Sequence, residues 1–291
     1  MRLIPSVLNW SYHRDYWGAW DKSLESYVPR VSAVSRKYGF DESGINLGVG
    51  GDQNQLASFD DSYVRDVRRR LDDLGLHVIP ILGSLDIHAD PTFVQRSIED
   101  IKPALERSAV LGADVSTFGT SLHGRLTREK AVTIYAEAAA QMCEIAAGFG
   151  QSLCAENYNT FTSDELMAVV QRSGAGNIGY LNDIGNWLIT GEDPYSVTRK
   201  LLPRTIHLHI KDYALDDGVW RSVPLGDGIV PVRKILQTLA DDDADTTLYL
   251  ALETDLDSDG EDEALDRSYA YYADWASSAS QTSASQTKGA A

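Results

Sequence analysis

Cysteine is nearly absent. The 291 residues hold only Cys143 and Cys154, in no CxxC or zinc-ribbon spacing, which excludes a disulfide framework and a structural zinc site. Long apolar runs are missing as well, and the opening MRLIPSVLNW, with one Arg and an apolar stretch broken by Pro5 and Asn9, is too short for a signal peptide or a membrane span. A cytoplasmic location is therefore expected. Positive charge is scarce: 26 Lys and Arg face 43 Asp and Glu, a formal net charge of −17. That excess repels a phosphate backbone and an anionic bilayer, so neither nucleic acid nor membrane is expected as a partner. The acidity is local rather than a uniform halophilic coat. Residues 241–266 carry twelve acids and no Lys or Arg, leaving −5 for the rest of the chain. A dinucleotide fingerprint is also lacking: no GxGxxG follows the first expected strand, and Gly48, Gly50 and Gly51 after the second have the wrong spacing and mark a tight loop.

What is present suffices for a full core, with 43% of residues apolar. Short β-rich runs alternate with segments of helical period. Strands are expected at 2–8, 45–49, 77–82, 114–118, 152–157, 178–183, 205–211 and 247–253, a spacing of roughly 35 residues that fits a βα repeat. Between them, Val64, Val67, Leu71 and Leu74 form a helical stripe that stops at Gly75, and Val94, Ile98, Ile101 and Leu105 form a second, with a kink expected at Pro103. A third helix follows Thr127 as far as Gly148; Ser163 looks like an N-cap, and Pro194 and Pro231 like first-turn residues. Eight strands in strict alternation with helices predict an α/β fold, a single-domain (β/α)8 TIM barrel over residues 1–276. Residues 277–291, small, polar and repetitive, are expected to be a disordered tail outside it.

In such a barrel the chemistry lies at the C-terminal ends of the strands. Four of these are polar: Glu156-Asn157 after the fifth, Asn182-Asp183 after the sixth, His207 to Asp212 along the seventh and Glu253 after the eighth. In the seventh, Ile206, Leu208 and Ile210 alternate with His207, His209 and Lys211, which puts the imidazoles and the lysine on one face, toward the barrel interior. A lone strand histidine is ordinarily a packed core residue. Two Glu, one Asp and one His converging on one mouth are different: without a cation they would be a costly cluster of like charge. Three oxygens and a nitrogen suit Mn²⁺, Mg²⁺, Co²⁺ or Zn²⁺.

The runs AENYNTFTSDEL from Ala155, NDIGN from Asn182, HLHIKD from His207, PLGDG from Pro224 and LET from Leu252 resemble the xylose isomerase-like barrel superfamily, which groups sugar isomerases and epimerases with endonuclease IV. The likeness is close over residues 150–275 and lies in the pattern of elements before that. It implies that Glu156, Asp183, His209 and Glu253 bind one divalent metal, Mn²⁺ foremost. It implies a sugar isomerase or epimerase acting on a small ketose, aldose or keto-polyol. In that chemistry the metal stabilises the cis-enediolate left by loss of the α-proton, and two carboxylates, here Glu156 and Glu253, move the proton. Lys211 either neutralises a developing oxyanion or offsets the acids at the mouth. His123, after the fourth strand, is a further acid/base candidate. Asn9, Trp10 and His13 after the first strand, with Asn186, Trp187, His207 and Arg221, are candidate substrate contacts.

Two positions depart from the family pattern. Asn186 stands where 3-epimerases and endonuclease IV carry the His of an Asp-x-x-His, and Leu215 where the epimerases carry an Arg. The alternative is a lyase on the same scaffold, resembling inosose or dehydroshikimate dehydratases or C-glycoside-cleaving enzymes, with the same metal and bases. The partner is a small carbohydrate; association with like or unlike chains is left open.

Overall fold

A computed structural model of the chain describes residues 1–8, 11, 20–47, 56, 59–158, 160–254 and 260–289, leaving out the side chains of 20–27 and 280–289. Eight parallel strands close into a barrel. They are β1 (Arg2–Leu8), β2 (Ser43–Leu47), β3 (Leu76–Ile87), β4 (Val115–Leu122), β5 (Ser152–Glu156), β6 (Ile178–Asp183), β7 (Thr205–Ile210) and β10 (Thr247–Leu252). The order around the barrel is β1-β10-β7-β6-β5-β4-β3-β2, each strand pairing with its predecessor until β1 closes on β10. Two further strands, β8 (Asp212–Asp216) and β9 (Val219–Val223), form an antiparallel hairpin outside the barrel. The sequence reading did not anticipate it, although Asp217 and Gly218 carry the signal. Both sit at positive φ, 47° and 78°, as a tight two-residue hairpin turn requires.

The outer layer is α1 (Trp20–Lys37), α2 (Asp61–Leu74), α3 (Pro91–Leu111), α4 (Arg128–Ala147), α5 (Ser163–Ser173), α6 (Asn186–Ile189), α7 (Pro194–Leu201), α8 (Val232–Ala240) and α9 (Glu261–Gly289). The stripe Val64, Val67 and Leu71 is the buried face of α2, and Gly75 ends that helix at φ 69°. Pro103 lies inside α3 and Thr127 caps α4, as the sequence suggested. Two caps differ. Thr162, not Ser163, caps α5, because its hydroxyl and the Glu165 carboxylate serve each other's backbone in a capping box. Pro231 is the residue before α8 rather than its first. The last helix extends to Gly289, and Ala276 and, just past the expected start of the tail, Ala279 pack against the core beside Tyr272 and Trp275.

Apolar side chains fill the layer between strands and helices in two clusters. One lies under α1, α2, α8 and α9, the other under α3, α4, α5 and α7. Cys143 and Cys154 are buried and free. Among the described residues no helix is long and apolar enough to cross a membrane. The loops carrying Asn9, Trp10 and His13, and Gly48, Gly50 and Gly51, lie outside the described residues.

Candidate functional site

Glu156 ends β5, Asp183 ends β6, His209 is the penultimate residue of β7, and Glu253 follows β10. Register brings them together. Asp183 is the direct neighbour of His209, which neighbours Ala251 in turn, and the Glu253 amide extends the ladder by donating to Ile210 O. In-register residues of parallel strands project to the same side. The four side chains thus meet at the C-terminal mouth.

The turns after these strands fix each carboxylate. Asp183 Oδ1 accepts from the amides of Gly185 (2.9 Å) and Asn186 (3.1 Å) at the start of α6, so that only Oδ2 is turned to the site. Asn157 grips the same residue's backbone, accepting from Asp183 N at 2.7 Å and donating to Asp183 O at 2.9 Å. Gly185 is needed for close approach: a Cβ there would lie 2.9 Å from both Lys211 Cγ and Tyr213 Cε2. One step beyond Lys211, the Asp212 carboxylate accepts from the amides of Tyr213 (2.9 Å) and of Gly226, Gly228 and Val230 (3.0 Å each), which ties down the PLGDG loop. Asn157 and Asp212 stand among the polar strand ends in the sequence, with no role assigned to them there. Their signal is their place, one residue past β5 and at the start of the hairpin.

Glu156, Asp183 and His209 each offer a ligand atom within 4.8 Å of the others. His209 Nδ1 lies 3.6 Å from Glu156 Oε1 and 3.0 Å from Glu253 Oε2. Lys211 Nζ lies 2.6 Å from Glu253 Oε1 and 3.4 Å from Asp183 Oδ2. Three atoms facing this space, Asp183 Oδ2, His209 Nδ1 and Glu253 Oε2, are buried and make no hydrogen bond. Leaving such groups unsatisfied costs about 1–3 kcal/mol each, and two carboxylate oxygens with an imidazole nitrogen are the donors a divalent cation takes. The residues fit a metal.

The two glutamates are not equivalent. Burial pushes the Glu156 carboxyl up to about 7, only partly opposed by His209. Burial also acts on Glu253, but Lys211 and His209 outweigh it and hold that carboxyl well below its usual range. Burial raises Asp183 against the pull of Lys211. For His209 the surrounding carboxylates, Glu253 first, overcome burial and raise its pKa. Its other nitrogen, Nε2, lies 2.6 Å from Oδ1 of Asn46 on β2, a residue the sequence reading passed over. The visible signal was one polar residue between the apolar Ile45 and Leu47.

Several expected contacts lie elsewhere. His207 is fully buried, its ring edge-on to His209 at 5.4 Å. Burial holds its pKa well below normal, which keeps the ring neutral. Trp187 is wholly buried in the outer layer and donates its indole N–H to Asn182. Asn186 is buried and directed at Asn157 O. Arg221 is exposed on β9 and paired with Asp216. His123 faces Asp86 at 3.0 Å, with about half of its side chain exposed, and is not part of the four-residue cluster. Lys211 offsets Asp183 and Glu253, one of its two expected roles.

Residues 33–274 match the family model described as xylose isomerase-like TIM barrel. No curated protein matches the chain by sequence. Solved structures do match in fold. An L-ribulose 3-epimerase superposes with a TM-score of 0.71 at 19% identity, covering 97% of each chain. The IOLI protein, solved with a binding zinc atom, gives 0.69 at 14% identity, covering 96% of this chain and 99% of its own. A probable 3-DHS dehydratase, AsbF from Bacillus anthracis, gives 0.67 at 18% identity, with 92% and 97% covered.

Proposed function

The chain belongs to the xylose isomerase-like TIM barrel family, and from the site it carries we propose that it is a divalent-metal-dependent isomerase or epimerase acting on a small ketose, aldose or keto-polyol. The supporting observation is the set of three unsatisfied buried atoms, Asp183 Oδ2, His209 Nδ1 and Glu253 Oε2, with Glu156 at their side. These four residues would hold the ion; the donor set suits Mn²⁺ foremost, with Mg²⁺, Co²⁺ and Zn²⁺ as alternatives. When bound, it would polarise a substrate carbonyl and lower the cost of the negative charge left by loss of the adjacent proton.

The chain's own groups divide the remaining work. Glu156, whose side chain is the most exposed of the three acids at 16%, would take a proton from carbon and return it. Glu253 stays ionised beside Lys211 and serves first as a ligand, and as the second base when the lysine turns to the substrate. Lys211, a buried cation at the mouth, stabilises the oxyanion that forms. That same ammonium favours a second reading. A fixed acid beside the base can protonate a departing hydroxyl, which makes the protein a dehydratase on the same scaffold, in keeping with the likeness to the probable 3-DHS dehydratase.

The test is NMR in D₂O over a panel of ketoses, aldoses and keto-inositols, with Mn²⁺ and with chelator. Deuterium should enter recovered substrate or its epimer next to the carbonyl, only with metal and not in Glu156→Gln. Loss of water with a new C=C bond selects the dehydratase. Full turnover after complete metal removal overturns both.

A further inference from the structure

We infer that Asn46 is the positioning residue of His209: it holds the imidazole so that Nε2 carries a proton and Nδ1 is turned into the space between the carboxylates, where its electron pair can serve a cation. The argument is geometric. Asn46 Nδ2 donates to the backbone O of Ile79 on β3 at 2.8 Å. That bond settles which end of the amide is which, because the flipped side chain would set its oxygen against the Ile79 carbonyl. With the nitrogen so engaged, Oδ1 is the atom 2.6 Å from His209 Nε2, and a carbonyl oxygen there can only accept. Nε2 is therefore the donor. Asn46 is fully buried and His209 nearly so, so no solvent competes for the bond. Across the ring, Nδ1 has no hydrogen-bond partner and points between Glu156 and Glu253, at 3.6 and 3.0 Å. A ring fixed by its far nitrogen is a ligand aimed in advance. The three parts come from far apart in the chain: β2 supplies the amide, β3 the carbonyl that orients it, and β7 the imidazole, 163 residues from Asn46.

This inference rests on the metal reading of the site for its consequence but not for its geometry, and the experiment separates the two. Three proteins are compared, each checked for fold by circular dichroism: wild type, Asn46→Leu, which keeps volume and removes the acceptor, and Asn46→Asp, which keeps the acceptor for His209 while giving up the bond to Ile79 O. In histidine-¹⁵N-labelled, metal-free protein, the His209 Nε2 proton should appear as a downfield, slowly exchanging resonance in wild type and Asn46→Asp, and vanish in Asn46→Leu. Zn²⁺ affinity, read by competition with a chromophoric chelator, should fall about 10–100-fold in Asn46→Leu and be restored in Asn46→Asp. A wild type without that proton, or an Asn46→Leu protein that binds Zn²⁺ as tightly as wild type, overturns the inference. Wild type that shows the proton but takes up no Zn²⁺ overturns the metal reading and supports the role of Asn46 in fixing the ring.

Discussion

Each end of the barrel carries a histidine beside an acid, and the two ends use them differently. At the N-terminal end, His77 Nε2 lies 3.2 Å from Asp114 Oδ1, and its ring stacks on Tyr249 at 4.3 Å, almost parallel. A cavity of about 340 Å³ opens beside them, lined also by Arg68, Asp72 and Glu42. Both members of that pair reach solvent. At the C-terminal end, His209, Asp183 and Glu253 are buried, and Asp183 Oδ2, His209 Nδ1 and Glu253 Oε2 have only ionic neighbours and no hydrogen bond. A histidine–acid pair in water is a small contribution to stability. Crowded together out of water, three acids beside one histidine and one lysine cost the fold more than such a pair does. An opening is therefore not by itself the place to look for chemistry; the buried cluster of acids around an imidazole marks the C-terminal end.

Removing a ligand should break this contrast most strongly. His209→Ala is expected to weaken Zn²⁺ binding by more than about 100-fold, beyond the loss typical of an outer-shell partner, while His77→Ala leaves it unchanged; isothermal titration reads both. Lys211→Met comes next. It strips the cation from two buried carboxylates and should lower the stability of the metal-free protein by about 3 kcal/mol, against about 1 kcal/mol or less for His77→Ala, from urea midpoints at pH 7.

The two ends should also differ in the sign of their pH response. Glu156 has a folded-state pKa of about 7, above its unfolded value. Its contribution is thus fully present below the unfolded pKa and is lost as pH rises through 7. Asp114 is depressed, chiefly by its hydrogen bond to His77, so its contribution is present at neutral pH and is lost as pH falls through the acid range. In metal-free protein, Glu156→Gln should reduce the decline in the urea midpoint between about pH 4.5 and 7, leaving the part that the raised Asp183 contributes, and Asp114→Asn should only blunt the acid side. Smallest of all, Arg221→Ala, on the exposed hairpin, should change stability by less than about 0.5 kcal/mol and leave metal affinity alone.

The contrast also explains what could be read from the sequence. Strand ends and two-residue alternation are local signals, so the barrel, the place of His209 and the convergence of Glu156, Asp183 and Glu253 were legible before any coordinates. His207 was placed on the correct face, but alternation does not give depth along the barrel axis, and depth decides whether a side chain meets a ligand. For Trp187 and Asn186 too, the turn after β6 sets the direction, sending the indole N–H to Asn182 and the amide to Asn157 O, which strand alternation does not give. Asn46 was beyond local reading altogether, since its importance comes from a residue on the other side of the barrel. The hairpin, by contrast, was legible in Asp217-Gly218 and was overlooked.

The bond between Asn46 and His209 also bears on how the molecule assembles. The cluster Glu156, Asp183, His209 and Glu253 comes wholly from the second half of the chain, yet its imidazole is steadied by a strand synthesised near the beginning. A ribosome that has released β2 has made the support long before the part it supports. Full affinity for a cation would then report that the two halves of the chain have found each other, and a nicked or split form of the protein would show its reunion as a recovery of binding.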